Sequence, residues 1–473
     1  MVGGAVRDYM LNKPAKDIDF TTNLSPEGIK EVASSNGWKI YDPNSAKYGM
    51  IGVIVDGESY EITTMRSDHY HPDDTRRPQS VSYVDSLEED LKRRDFTINA
   101  MAMDENGNIT DGFNGEQDLE NGIVRAVGDP YARMKEDNLR AFRAARFAAQ
   151  LGFELDPELK EAMSSSEVHN GIQNISLERV KGEIDKILEA PYPSKGINAL
   201  VDTGLADCTC KVTEYHETKQ VSIMPEISRL KGVEQSEKYH YTDVLGHTLD
   251  TLDNTPSDLD TRYAALFHDV AKGLDGVRST NKEGDVADYG HDEKGAEIAR
   301  EVMERWGHDK DSTKQICRMI EGHMVVPAKE KSWNKKIRKD LDTGIFKNKE
   351  DYIDFMDKQF SLFRADSEAS KVANDGIEDS KALFKKAVDK PLFRHELDID
   401  GNTIKEKMGL SKESVEVGNT FDYLLQRCRD QGLENKREVL VDAIESKVAR
   451  NNKEEVVEEL LDNSGAKERK GLV

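Results

Sequence analysis

Residues 1–22 read MVGGAVRDYMLNKPAKDIDFTT and place a glycine pair, an arginine and two aspartates one residue apart in a short span. In a strand, side chains i and i+2 share a face, so Asp17 and Asp19 around Ile18 converge on one point. A hard divalent cation such as Mg2+ is held in this way, by few carboxylates with phosphates and water completing its shell. Glu61, in the alternating run YEITTMR, adds a third carboxylate if its strand neighbours the first. Three carboxylates can serve two metals, one at an attacking hydroxyl and one at a leaving pyrophosphate. Gly3 and Gly4 permit close backbone approach and can turn N–H groups toward phosphate oxygens, and Arg7 adds a cation that does not titrate. Alone, D-x-D is more often a solvated strand end and Gly-Gly a plain turn. Together at this spacing they favour a metal–triphosphate site.

The surrounding chain is polar. It has 473 residues, 37% hydrophobic and 33% charged, with a net charge of −24, enough for two to four domains. No run of eighteen apolar residues is present, so no spanning helix is expected and no membrane partner. The start has no apolar h-region and Gly3 is not at position two, which argues against a secretory signal and against myristoylation. Cys208, Cys210, Cys317 and Cys428 are few and scattered, in keeping with a reducing cytoplasm. Cys208 and Cys210 form a C-x-C without a second ligand pair and read as ordinary thiols. The acidic total argues against nucleic-acid binding over the whole surface, but leaves room for a local basic strip.

Along the chain, MIGVIVDGESYEITTMR reads as a hairpin turned at Asp56-Gly57. Residues 67–86, rich in Pro, Asp and Ser, read as a long loop. FTINAMAMDENGNITDGF reads as a second strand pair turned near Gly107. From about Asp118 helical periodicity dominates, with EDNLRAFRAARFAAQLGF and SLERVKGEIDKILEA as strong helices, and strand signals become rare beyond Gly152. No internal repeat is visible, and the last stretch begins as an amphipathic helix and ends in a charged tail. The layout is α+β: a small α/β head, then a long helical body.

Six segments occur in fixed order: VGGAVRD, DIDFTT, YEITTMR, LKRRDFTINAMA, EDNLRAFRAARFAAQLGF and ISLERV. In this the chain resembles the head and neck of the bacterial and eukaryotic class of tRNA nucleotidyltransferases, the CCA-adding enzymes, a class that also contains bacterial poly(A) polymerases. The resemblance covers roughly residues 1–190 and implies a polymerase-beta-like nucleotidyltransferase head. Carried over position by position, it implies that Gly4 and Arg7 meet the incoming triphosphate, beside the Gly3 of the same glycine pair, that Asp17 and Asp19 hold Mg2+, and that Glu61 is the general-base carboxylate. It further implies that Arg94 contacts the nucleotide, that Asp95 helps read the ribose, and that Asp137, Arg140, Arg143 and Arg146 bind base and phosphate. Members of the class carry a few apolar residues before Val-Gly-Gly as a first strand. Here Met1-Val2 stand in that place, so a short or truncated first strand with weaker anchoring of Gly3 and Gly4 is expected.

Steps of three residues rotate by about −60° on a helix. Asp137, Arg140, Arg143 and Arg146 would then sweep a charged ribbon around half of one helix, with Leu139 and Phe142 toward the core. A solvated face is the plain alternative. A carboxylate offers only acceptors and a guanidinium only donors. Cytosine N4 and adenine N6 are amino donors, whereas uracil and guanine put a carbonyl there, at a cost of about 1–3 kcal/mol in unpaired groups. Such a pair can admit CTP and ATP and reject the others. The loop at 67–86 is expected to move between C addition and A addition.

The second half carries RYAALFHDVAKG around His268. An adjacent His-Asp on an apolar helix costs energy unless ligated or paired. His247 lies upstream, and His291, His323 and Asp366 follow. Imidazole and carboxylate suit Mn, Ni, Fe or Zn. The order resembles the HD superfamily of metal-dependent phosphohydrolases. The match implies that His247, His268, Asp269 and Asp366 hold a first metal, that His291 and His323 hold a second or contact phosphate, and that Lys272 is a phosphate contact. A head of this kind joined to an intact HD domain resembles multifunctional CCA enzymes, which implies activity on 2′,3′-cyclic and 2′-phosphates with a transition metal such as Ni2+ or Mn2+. The stretch from 397 to 426 also resembles the C-terminal helical segment of such enzymes.

The expected layout is a head at 1–115, a helical neck at 116–190, a helical linker at 191–238, an HD domain at 239–370 and a C-terminal helical segment at 371–473, with neck and body elongated and all-α. The expected partners are the tRNA 3′ end, ATP and CTP, and the oligomeric state is open. Residues 328–340, AKEKSWNKKIRKD, are a candidate acceptor-arm contact through phosphates and shape, or equally a solvated loop. Two alternatives stand beside this reading: a poly(A) polymerase, and an HD nucleotide phosphohydrolase whose head only binds RNA.

Overall fold

The computed structural model describes all residues other than 16, 42–47, 70–79, 215–216, 372–375, 411–413 and 464–473, and of residues 69 and 451–463 the backbone course alone. The chain divides into two compact units, Met1–Gly322 with Ala365–Val372, and His323–Arg364 with Ala373–Val473.

The first unit opens with a four-stranded sheet in the order β1-β4-β3-β2, built from β1 (Asp19–Thr22), β2 (Lys39–Tyr41), β3 (Met50–Val55) and β4 (Glu58–Thr64). The β3–β4 hairpin turns at Asp56 (φ 51°) and Gly57 (φ 88°). Two left-handed residues in the turn match the right-handed twist of the flanking strands, which is why Asp-Gly announces it. Helix α1 (Gly4–Met10) precedes the sheet. Helix α2 (Pro26–Ser35), capped by the Ser25 hydroxyl on the Gly28 N–H, lays Ile29 and Ala33 against Ile51 and Val53.

Met1 and Val2 supply the short first strand. Val2 donates to the Asp19 carbonyl at 2.9 Å and Gly3 to the Met101 carbonyl at 3.0 Å. Two residues thereby join β1 to β7 (Met101–Met103), which pairs with β8 (Ile109–Asp111). The anchoring of Gly3 is firm, contrary to the expectation of a loosened one. It has a consequence: the Gly3 N–H is used in this pairing and does not face the cleft.

The segment expected as a loop at 67–86 contains strand structure. β5 (Arg66–His69) and β6 (Ser80–Tyr83) pair antiparallel, Ser67 opposite Ser82 and Asp68 opposite Val81. The polar side chains hid an alternating pattern, and pairing across the hairpin, invisible locally, organises both ends. The loop tip at 70–79 lies outside the described residues. Helix α3 (Leu87–Lys92) follows, with Ser86 as its cap, and then α4 (Gly115–Asn121).

The neck contains α5 (Pro130–Glu136), α6 (Leu139–Leu151), α7 (Pro157–Met163), α8 (Ser166–Ile172), α9 (Leu177–Leu188) and α10 (Pro193–Asp202), with a two-residue parallel pair of β9 (Ile123–Val124) and β10 (Glu154–Leu155). α6 buries Ala141, Phe142, Ala145 and Ala148 and stops at Gly152 in left-handed conformation. It begins at Leu139, so Asp137 is not on it but terminates α5 in extended conformation. Asp137 accepts the Leu139 N–H at 3.1 Å, which starts the new helix.

The body departs from all-α. A hairpin of β11 (Thr209–Glu214) and β12 (Glu217–Ser222) stands within the expected helical linker, and a small one of β13 (Arg278–Thr280) and β14 (Val286–Asp288) stands beside the histidine cluster. Cys208 and Cys210, buried near the first hairpin, are free thiols, pushed by burial to about 11 and about 12, as ordinary core cysteines are. Helices α11 (Pro225–Ser228), α12 (Val244–Asn254), α13 (Leu259–Phe267), α14 (His291–Arg305) and α15 (Lys310–Gly322) complete this part. Arg262 of α13, buried, donates to the carbonyls of Leu188 and Ala190 at 2.6 and 3.0 Å and seats the body on the end of α9.

The second unit holds α16 (Glu330–Leu341), most of α17 (Lys349–Glu368), α18 (Ile377–Val388), α19 (Gly401–Met408), α20 (Val415–Gln431) and α21 (Arg437–Asn463). Trp333 is fully buried, 5.0 Å from the Phe384 ring and 5.7 Å from Phe360. A second cluster gathers Ile404, Leu424, Leu440 and Ile444. Among the described residues, no helix is long and apolar enough to cross a membrane.

Candidate functional sites

In the head, the parallel pairing of β1 and β4 sets Asp19 directly beside Glu61. Residues paired in register share a face of the sheet, so the third carboxylate joins the first as the strand pattern requires. Asp17 sits in a bend ahead of β1 and is exposed, not in the strand. Its charge is nevertheless felt by both others. Burial raises the Asp19 pKa, the Arg94 guanidinium draws it back, and Asp17 raises it. Burial, then Asp19 and Asp17, raise that of Glu61. Asp17 thus disfavours the charge of Asp19, and both disfavour that of Glu61, a situation that a cation at this locus relieves. Their donor atoms are not drawn within 4.8 Å of one another, unlike those of the histidine cluster below.

A cleft of about 390 Å3 opens beside this locus, with Asp19, Gly4, Arg7 and Arg94 on its head side and Asp95, Asp137, Arg140 and Arg143 also lining it. Arg7 donates to Asn99 Oδ1 at 2.7 Å and to Asp8 at 2.7 Å, and lies over the Phe147 ring. Gly3 has φ 70°, and a Cβ there would meet Arg94 Nη1 at 2.5 Å. The left-handed backbone favours glycine here, and a Cβ would have to displace the Arg94 guanidinium packed on it.

Asp95 is buried and accepts from the Phe96 N–H (2.9 Å), the Asn99 amide (3.1 Å) and Arg143 Nε (2.8 Å). Burial raises its pKa, but Arg143, Asn99 and Arg140 outweigh burial and hold it well below the usual carboxylate range. Asp95 is thus occupied in aiming Arg143. Asp137 is raised by burial against the pull of Arg179, whose Nη2 lies 3.3 Å away. Arg140 is buried, on Glu136 Oε2 at 2.5 Å and the Arg133 carbonyl at 2.9 Å. Arg146 is turned from the cleft to Glu183 at 2.6 Å. The expected ribbon therefore divides into Arg143 at the cleft, Arg140 locked at its wall and Arg146 behind it. Asn99, Arg93 and Arg179 were not singled out by sequence. Asn99 and Arg93 stand inside the RRDFTINA motif, which was the available signal. Arg179 had none beyond its place in ISLERV.

The second locus lies in the body. His247 comes from α12, His268 and Asp269 from the turn that ends α13, and Asp366 from the last turn of α17. His247 Nε2 is 3.0 Å from Asp366 Oδ1 and 3.3 Å from His268 Nε2. His268 Nε2 is 3.2 Å from Asp269 Oδ2, and His291 Nε2 is 3.4 Å from Asp269 Oδ1. Each Nδ1 faces a backbone carbonyl: His268 on Ala265 at 2.8 Å, His291 on Asp288 at 2.6 Å and His247 on Ala369 at 3.4 Å. A carbonyl only accepts, so each Nδ1 carries the proton and each Nε2 presents a lone pair. Two lone pairs 3.3 Å apart repel unless a cation lies between them. Burial lowers the His268 pKa, but Asp269 and Asp366 overcome it and raise it, which is the same demand for positive charge. His247, His268 and Asp366 offer donor atoms all within 4.8 Å of one another, and imidazole with carboxylate fits a first-row transition ion. Lys272, expected on phosphate, gives its ammonium to Asp269 at 2.7 Å and to Gln235 at 2.9 Å. His323 opens the second unit, directly after α15.

Residues 1–125 match the family described as "Poly A polymerase head domain", residues 152–212 "Probable RNA and SrmB- binding site of polymerase A", and residues 243–356 "HD domain". A CCA-adding enzyme of Lactobacillus johnsonii is 45% identical over 206 residues, 44% of this chain and 50% of that protein. One of Geobacillus thermodenitrificans is 43% identical over 205 residues, 43% of this chain and 49% of that protein. The chain thus spans about half the length of the curated relatives it matches. The crystal structure of the Bacillus stearothermophilus CCA-adding enzyme in complex with CTP superposes with a TM-score of 0.66 at 25% identity, over 96% of this chain and 94% of that one. The Thermotoga maritima CCA-adding enzyme complexed with tRNA shares the fold at 16% identity and a TM-score of 0.53, over 94% of this chain and 90% of that one.

Proposed function

We infer, for a chain that carries the head domain of poly A polymerases, their RNA-binding segment and an HD domain, that it is a tRNA nucleotidyltransferase that adds and repairs the 3′-terminal CCA from CTP and ATP without a nucleic-acid template. The observation that carries this reading is the single cleft in which the Asp19 carboxylate, the Arg7 and Arg94 guanidinium groups and the Asp137–Arg140–Arg143 set of the neck converge. Arg7 and Arg94 hold phosphate oxygens at one end of the cleft. Arg143, aimed by Asp95, holds the other end, and Asp137 presents an acceptor to the base edge from the wall that Arg140 braces. A cytosine or adenine amino group satisfies Asp137, and a uracil or guanine carbonyl does not, a difference of about 1–3 kcal/mol. Asp17 and Asp19 would hold Mg2+, which supplies charge neutralisation at the transferring phosphate. Glu61 beside them would accept the proton of the tRNA 3′-hydroxyl.

The HD cluster is proposed as a phosphodiesterase and phosphatase site for 2′,3′-cyclic and 2′-phosphates, with His247, His268, Asp269 and Asp366 holding Ni2+ or Mn2+ and His291 serving a second ion or the phosphate. A blocked 3′ end cannot be extended, which gives the two sites a common substrate. The tRNA would meet α16 on its outer face. Trp333 and Ile337 are buried, while Lys329, Lys331, Lys335, Arg338 and Lys339 are exposed, and the first four of these border a cleft of about 780 Å3 within the second unit. Trp333 is core and does not stack on a base.

The test is tRNA lacking CCA, given CTP and ATP separately. Short, self-limiting C addition with CTP, and a single A on the CC-ended product, is the expected result. Long A-only extension assigns the chain to poly(A) synthesis, and no extension by a chain that hydrolyses cyclic phosphate leaves an HD hydrolase with an RNA-binding head.

A further inference from the structure

Asp90 lies on α3, outside the set of residues that the motifs single out, and is fully buried. A buried carboxylate is costly unless each oxygen is satisfied, and here four donors converge on two oxygens. Oδ1 accepts the Arg66 N–H at 3.2 Å and Arg93 Nε at 2.9 Å. Oδ2 takes the Thr21 hydroxyl of β1 at 3.4 Å and lies 3.5 Å from Arg94 Nη2. Arg93 reaches on to Asp68 Oδ2 at 3.5 Å, and Asp68 also holds Arg66 at 2.8 Å. One carboxylate therefore ties together β1, the β5–β6 hairpin and both arginines of the RRD motif.

The same helix end receives the neck. Arg133 donates to the Lys92 carbonyl at 2.9 Å, and Arg133 and Arg140 each reach the Arg93 carbonyl at 3.4 Å. Arg140 also donates to the Arg133 carbonyl at 2.9 Å. The wall that carries Asp137 and Arg140 is thus hung on the C-terminal carbonyls of α3, where cations are favoured. The turn bearing those carbonyls is held by Asp90.

We propose that Asp90 is a positioning residue for nucleotide selection: it fixes Arg93 and Arg94 and, through the last turn of α3, the distance between the phosphate end and the base end of the cleft. The proposal rests on the nucleotidyltransferase reading and deepens it. An amide at this position keeps one acceptor and turns an NH2 toward a guanidinium, so Asp90→Asn releases the arginines while keeping the volume. A carboxylate one methylene longer, in Asp90→Glu, can still reach them.

The experiment is nucleotide incorporation by the full chain into tRNA lacking CCA, with kcat/KM determined for CTP and for UTP, alongside a thermal unfolding midpoint. Asp90→Asn is expected to lower the CTP-over-UTP preference by roughly tenfold or more, with Asp90→Glu recovering part of it. A loss of packing alone would slow both nucleotides equally. Should Asp90→Asn not fold, Arg93→Lys, which keeps the charge and the carbonyl but lacks the fork to Asp90 and Asp68, is expected to show the same loss. An unchanged CTP-over-UTP preference in a folded variant overturns the proposal. A wild type that incorporates no nucleotide overturns the reading on which it rests.

Discussion

Asp95 illustrates how little of a residue's role is contained in its motif. RRD announces an acid at this position, and the resemblance implied a contact to the ribose. The structure gives both of its oxygens to protein partners, Arg143 above all. Its pKa is lowered in the folded state, so its contribution to stability is present above the unfolded value, near pH 4, and is lost as pH falls through the folded value. Asp95→Asn is expected to cost about 2 kcal/mol at pH 7, and urea unfolding should show the gap to wild type narrowing only below about pH 4. A gap that narrows between pH 5 and 8 would contradict the assignment. Gly3 makes the converse point. Its glycine suggests close approach of phosphate, but what lies against it is Arg94, and its N–H is committed to Met101. Sequence tells which groups are present. Which donors remain free depends on partners about a hundred residues away.

Elements were legible where their own side chains carry the pattern. The Asp56-Gly57 hairpin and the alanine-rich face of α6 belong here, since turn chemistry and helical period are local. The β11–β12 hairpin was missed because its strands, TCKVTE and ETKQVS, are polar and short, and their pairing is what makes them strands. α16 shows an element whose two faces carry different messages. Its inner face is core: Trp333→Ala is expected to cost about 3–5 kcal/mol, read as a lower midpoint in urea for the second unit. Its outer face is charge. Lys331→Ala with Lys335→Ala should leave that midpoint within about 0.5 kcal/mol while reducing the slope of log K for tRNA against log salt by roughly 1–2. An unchanged slope would remove α16 from the RNA contact.

At the scale of the molecule, the two loci were found by the same logic and differ in how completely side chains converge. The histidine cluster is nearly closed, with its tautomers set by three carbonyls. The acidic trio is a matter of register between β1 and β4 with Asp17 ahead of the strand. The order of motifs along the chain made both legible, because ligands for one ion must come from a few elements that the fold brings together. The distribution of charge was legible only in part. A total of −24 conceals the arginines of the head cleft and the exposed lysines of α16. Separate sites predict separable activities. Removing the head carboxylate should leave the histidine cluster working, because the two share no residue.

The most direct measurement is incorporation of CTP and ATP into tRNA lacking CCA by the wild type and by Asp19→Ala, with hydrolysis of a nucleoside 2′,3′-cyclic phosphate followed on the same preparations with added Ni2+ or Mn2+. The account predicts three nucleotides added by the wild type, none by Asp19→Ala, and equal hydrolysis by both. Extension of the tRNA by Asp19→Ala at the wild-type rate would contradict it.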